Sequence, residues 1–83
     1  MNDNLSILLE IKSIIRNVIG DDSIEIELQT VASDVNGWDS LAHITIVISI
    51  EQHYSIKFSL TELQNIKEIS GLVDLVKSKA KLS

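Results

Sequence analysis

Five consecutive residues, Gly37-Trp38-Asp39-Ser40-Leu41, bring together a turn residue, an indole, a carboxylate and a hydroxyl. The apolar run Ala42-His43-Ile44-Thr45-Ile46-Val47-Ile48-Ser49-Ile50 follows at once. Where such a run opens a helix, Asp39 is placed to cap it and Ser40 stands at its start, with unpaired backbone N–H groups behind the hydroxyl. The partial positive charge of a helix start favours an anion, so the chemistry that fits is attachment of a phosphate-linked prosthetic group to Ser40. A hydrolytic reading competes, because Asp39 and His43 flank the serine. It fails on geometry: neighbours so close on one helix start do not form the buried, oriented relay that a Ser–His–Asp nucleophile needs. No glycine elbow surrounds the serine either. His43 is read instead as a semi-exposed packing or partner residue, and Trp38 as a ring that packs its loop onto the body of the protein.

The elements that hold this serine must be few. Eighty-three residues make one domain, 1–83. A chain of that length buries roughly 60–65% of its unfolded surface, and its stability is on the order of 4–12 kcal/mol. Cysteine is absent and histidine occurs twice, which removes disulfides and makes a structural zinc site improbable. Apolar residues make up 45% and aromatics 4%, so the core is one of Ile, Leu and Val. A formal charge of −5 argues against nucleic acid and for basic partners. The N-terminus shows no basic region followed by an apolar stretch, and no apolar run approaches the ~18 residues of a membrane span. A cytoplasmic protein with no membrane partner is expected. The absence of proline suits a helical bundle.

Asp3 or Asn4 can cap a first helix over about Leu5–Ile19. Leu8, Ile11, Ile15 and Val18 recur at the helical period, Ile7 and Ile14 widen the stripe, and Glu10, Lys12 and Arg16 take the other side. Gly20 ends it. Residues 21–39 form a long connection rich in acids. Ile24, Ile26 and Leu28 alternate in it as in a strand, but a lone strand has nothing to pair with, so an ordered loop pinned by those side chains is expected. Residues 40–53 carry two signals. The β-branched alternation reads as a strand. The Asp39 cap, the length of the run and its two apolar sides read as a helix: Leu41, Ile44 and Ile48 lie on one side, with Ile46, Val47 and Ile50 on the other. Pattern alone leaves the two nearly level. Tyr54 to Phe58 is a linker with two aromatic anchors. Ser59 and Glu62 have capping-box spacing for a short helix through about Asn65, and a last helix spans about Ile69–Lys79. Lys77, Lys79 and Lys81 suit its C-terminus and form a solvated tail.

The heptapeptide Gly37-Trp38-Asp39-Ser40-Leu41-Ala42-His43 resembles the attachment motif of acyl carrier proteins and peptidyl carrier proteins, whose core is Asp-Ser-Leu with the serine modified. Ile50 to Phe58 resembles the end of that family's second helix, and Leu63 to Val76 its third and fourth helices. The likeness thus covers nearly the whole chain. It implies an all-α four-helix bundle, three main helices and one short one, with a long first loop. It also decides residues 40–53 in favour of helix. It implies a 4′-phosphopantetheine arm on Ser40, transferred from coenzyme A by a phosphopantetheinyl transferase, with Asp39 as cap and transferase contact. The arm's thiol then carries acyl or aminoacyl groups as thioesters, delivered by a loading ligase and consumed by downstream synthases or transferases. Trp38, Leu41, Ile44, Ile48 and Glu51 face those partners or the cargo entrance, while Ile46, Val47 and Ile50 point inward.

Two departures bear on the pathway. Carriers of fatty-acid synthesis usually hold several acids along the second helix, and here Glu51 alone is acidic. Trp38 before Asp39 also looks more like discrete carriers of specialised pathways. Ser55 stands where many relatives have glycine, a strained choice if the backbone there turns left-handed. The expected molecule is a monomeric shuttle, not an enzyme. The alternative is an unloaded carrier-like helical adaptor that docks partners through Leu41, Ile44 and Ile48.

Overall fold

The computed structural model describes residues 4–80. Four α-helices carry the fold: α1 Asn4–Ile19, α2 Ser40–Tyr54, α3 Leu60–Gln64 and α4 Ile69–Ala80, with a 3-10 turn at Ala32–Asp34 in the first loop. No strand occurs among the described residues. The expected caps Asp3 and, at the other end, Lys81 lie outside them.

The apolar period of α1 explains its place. Ile7, Leu8, Ile11 and Ile15 are buried, and α1 packs against both α2 and α4. Burying one apolar stripe against two neighbours stabilises this short chain more than helix propensity does. Gly20 ends α1 with φ +83°, and its N–H donates to the Arg16 carbonyl at 2.8 Å. The polar side of α1 makes contacts of its own. Arg16 reaches over the loop, and its Nε and Nη2 donate to the Ile24 carbonyl at 2.9 and 2.7 Å. Glu10 accepts a hydrogen bond from the Tyr54 hydroxyl and lies 3.5 Å from His53 Nε2, tying α1 to the end of α2.

Residues 21–39 are an ordered loop, as expected, but only part of the expected pinning occurs. Ile26 is fully buried and Ile24 half-buried, whereas Leu28 is 40% exposed. Backbone groups do the rest. The Ile69 N–H donates to the Thr30 carbonyl at 2.9 Å and the Ser70 N–H to the Leu28 carbonyl at 2.8 Å. Those N–H groups are orphans of the α4 start, so the loop serves as its cap. Val35, inside the same loop, is also buried.

Strand-like residues in α2 are helical because the environment decides. Ile46, Val47 and Ile50 are buried, and Thr45 Oγ1 donates to the Leu41 carbonyl at 3.0 Å, back along the helix. The helix ends at Ser55 with φ 58° and ψ 47°, the left-handed region. The Ile56 N–H then closes on the Glu51 carbonyl at 3.0 Å, and Ile56 is buried. Of the linker, Ile56 enters the core, while Tyr54 and Phe58 pack against its edge.

The capping box of α3 forms as expected: Glu62 N–H donates to Ser59 Oγ at 3.1 Å and Ser59 N–H to Glu62 Oε1 at 2.8 Å. The Ser59 N–H and the nearby Lys79 ammonium hold the Glu62 carboxyl below the usual carboxylate range. Lys79 is therefore not part of a merely solvated tail; its Nζ lies 3.0 Å from Glu62 Oε1 and joins α4 to α3.

Candidate functional site

Four residues shape the start of α2. Gly37 has φ +89°, and a Cβ there would stand 2.8 Å from Ile19 Cγ2. Only glycine lets the loop pass so close to the end of α1 in that conformation. Trp38 follows, half-buried, with its ring against the core. Asp39 is extended (φ −94°, ψ −173°) and is the N-cap: its Oδ1 accepts from Ala42 N–H at 2.8 Å, and its carbonyl accepts from His43 N–H at 2.9 Å. Ser40 is the first residue of α2 and is exposed. Its hydroxyl therefore stands free to solvent beside a helix start whose remaining N–H groups and dipole favour negative charge.

A groove lies beside the serine, lined by Ala32, Ser33, Trp38, Asp39, His43 and Ile44 together with Ser40. Two of these, Ala32 and Ser33, come from the 3-10 turn of the long loop. Nothing in their residue types marked them; the loop's backbone pairing with α4 brings them there. Trp38 Nε1 donates to His43 Nδ1 at 3.1 Å across the groove. This pairing places the imidazole with the indole, not with the Ser40 hydroxyl, in keeping with the rejection of a hydrolytic relay.

The expected partner-facing residues divide. Leu41, Ile44 and Ile48 are 73%, 55% and 46% exposed and run along the outer side of α2. Between Ser40 and Ile50 this helix carries no acidic residue. Glu51 is separate from the serine: eleven residues on, it lies about 16 Å along the helix. It is half-buried, and its Oε2 accepts the Phe58 N–H at 2.8 Å, so its carboxylate fixes the linker after α2. Among the described residues no helix is long and apolar enough to cross a membrane.

A phosphopantetheine group fits what is present. Its phosphate needs an exposed hydroxyl at an electropositive helix end, which Ser40 supplies. Asp39 keeps its carboxylate turned onto the Ala42 N–H, where it caps the helix.

The family model described as "Phosphopantetheine attachment site" matches residues 10–76. An acyl carrier protein of Coprothermobacter proteolyticus is 32% identical over 73 residues, 87% of this chain and 88% of that protein. An acyl carrier protein homolog of Mycoplasmopsis pulmonis is 31% identical over 75 residues, 90% of this chain and 92% of its own length. In structure, the chain is similar to the holo acyl carrier protein of Geobacter metallireducens, with a TM-score of 0.83 and 44% identity, over 89% of this chain and 85% of that one.

Proposed function

Because the chain belongs to the phosphopantetheine-attachment family of acyl carrier proteins, we propose that Ser40 is the residue that bears its 4′-phosphopantetheine. The protein is a carrier and not an enzyme, and its prosthetic group is covalent. The observation that carries the assignment to Ser40 is its position: an exposed hydroxyl at the first residue of α2, behind a formed Asp39 cap and beside a groove. When bound, the group supplies a thiol that holds an acyl chain as a thioester. The chain's own residues do the remaining work. The α2 start stabilises the phosphate charge, Asp39 holds the helix end in shape, and Trp38, Leu41, Ile44 and Ile48 offer apolar surface to enzymes that load or unload the arm.

The acid-poor α2 and the Trp38 indole favour a specialised pathway over housekeeping fatty-acid synthesis. Partners on that reading are a phosphopantetheinyl transferase, an acyl- or aminoacyl-loading ligase and a downstream synthase or transferase, met by a monomeric carrier in the cytoplasm. Their docking surfaces would be apolar where they meet α2, since the helix gives them no row of carboxylates.

Intact-protein mass spectrometry tests the assignment. The chain is incubated with coenzyme A, Mg²⁺ and a broad-specificity phosphopantetheinyl transferase. A gain of one phosphopantetheine is expected in the wild type and none in Ser40→Ala. Circular dichroism of Ser40→Ala should match the wild type, since an exposed helix-start side chain contributes little to packing. A folded wild type that gains nothing would overturn the assignment and favour the unloaded adaptor.

A further inference from the structure

Two hollows adjoin behind the loop that precedes α2. One is the groove beside Ser40. The other is a crevice of about 60 Å³, with Ile46, Val47, Leu63, Ile66 and Leu72 among its walls. Ala32, Trp38 and His43 line both, so these residues stand between them. Of the three, Trp38 and His43 are joined: Nε1 to Nδ1 at 3.1 Å, with ring centroids 6.1 Å apart and planes tilted by 32°. An indole N–H only donates, so Nδ1 must be the unprotonated nitrogen of the imidazole. The bond ties the loop to the first turn of α2. It is exposed and links two neutral groups, which makes it a weak bond in competition with water.

We propose that the Trp38–His43 pair is a latch between the Ser40 groove and the interior crevice, and that it sets which cargo the carrier withdraws from solvent. The proposal rests on Ser40 bearing the arm. The crevice is much smaller than the ~150 Å³ apolar cavity that accepts a benzene-sized guest. An acyl chain starting at Ser40 therefore enters only if the two rings part and the walls separate. With the latch shut, acyl groups of any length stay in the outer groove, open to partner enzymes and to solvent nucleophiles. With the bond removed, a medium-length apolar chain gains access to the Ile/Leu/Val interior, while an acetyl group, too short to profit from the crevice, behaves as before.

Two measurements test the latch, and the first needs no loading. In the apo protein the chain's sole tryptophan gives one indole N–H resonance. His43→Phe keeps a ring but loses the acceptor, so exchange of that proton with water should accelerate about two- to tenfold, the range one neutral hydrogen bond commands. In the second, acetyl and octanoyl arms are transferred from their coenzyme A esters onto wild type, His43→Phe and Trp38→Phe, and thioester cleavage by hydroxylamine is timed. Octanoyl cleavage should slow about two- to tenfold in both variants relative to wild type, with acetyl cleavage unchanged. Unchanged indole exchange, or unchanged octanoyl cleavage in both variants with their circular dichroism matching the wild type, overturns the latch. Failure of the wild type to load at all would count against Ser40 instead, and the apo measurement would still judge the latch.

Discussion

At the scale of single residues, polar side chains hold this protein's elements together more than its composition suggests. Glu10, Arg16 and Glu51 read as surface charges, yet each carboxylate or guanidinium ends on a partner from another element or linker. Periodicity shows which side of a helix a charge lies on and cannot show what comes to meet it. Tyr54 is the clearest case. Partial burial, then its bond to Glu10, raises its phenol well above the ordinary value of about 10. The folded state thus keeps a proton that the unfolded state releases. The resulting stability is complete below about pH 10 and is lost as pH rises beyond it. Denaturation midpoints of wild type should fall more steeply above that pH than those of Tyr54→Phe. Because Tyr54 is the only tyrosine, phenolate absorbance reads its titration directly. Parallel falls in the two proteins would contradict the assignment.

Elements are joined here by ends as much as by faces. The α2 run is strand-like by residue type and helical in fact, because Asp39 caps its start and three of its residues bury against the bundle. Its other end is less well matched. Ser55 occupies the left-handed region, where an L side chain crowds its own carbonyl and glycine does not. Replacing it with glycine removes that strain but adds chain entropy to the unfolded state. The net effect of Ser55→Gly should be a gain of ~0.5–1 kcal/mol, roughly 2–8 °C in Tm for a domain of this size. No gain in a thermal melt would mean that the Ile56 closure on Glu51 already absorbs the strain. The start of α4 at Ile69 was legible, but what caps it was not. Its cap is a pair of carbonyls from residues 28 and 30, some forty positions earlier, and backbone acceptors carry no sequence signature.

For the whole molecule, the core is a single cluster that takes side chains from α1, α2, α4, the long loop and the linker after α2. Its Cα radius of gyration is 11.7 Å, and so small a body has little stability to spare. Ile46 lies at 0% exposure in that cluster, on the side of α2 opposite the exposed Leu41, Ile44 and Ile48. Ile46→Ala should cost ~2–5 kcal/mol and bring the protein near unfolding at physiological temperature. Urea titration would show it, and a near-neutral result would mean the site collapses around the lost methyls. By itself the sequence determined the helical elements outside the ambiguous run, the capping box at Ser59 and the inward stripe of α1. These follow from local chemistry: period, caps and turn residues act within a few positions. It also marked Asp39 and Ser40, because a cap and a hydroxyl at a helix start are a local arrangement. Pattern leaves residues 40–53 open and the family resemblance makes them helical; the tertiary structure gives the reason, since burial overrides β-branched preference. It alone brought Ala32 and Ser33 beside Ser40, paired Trp38 with His43, and turned a loop into the cap of α4. Those contacts join elements through space, and nothing in the order of residues along the chain encodes the distance between them.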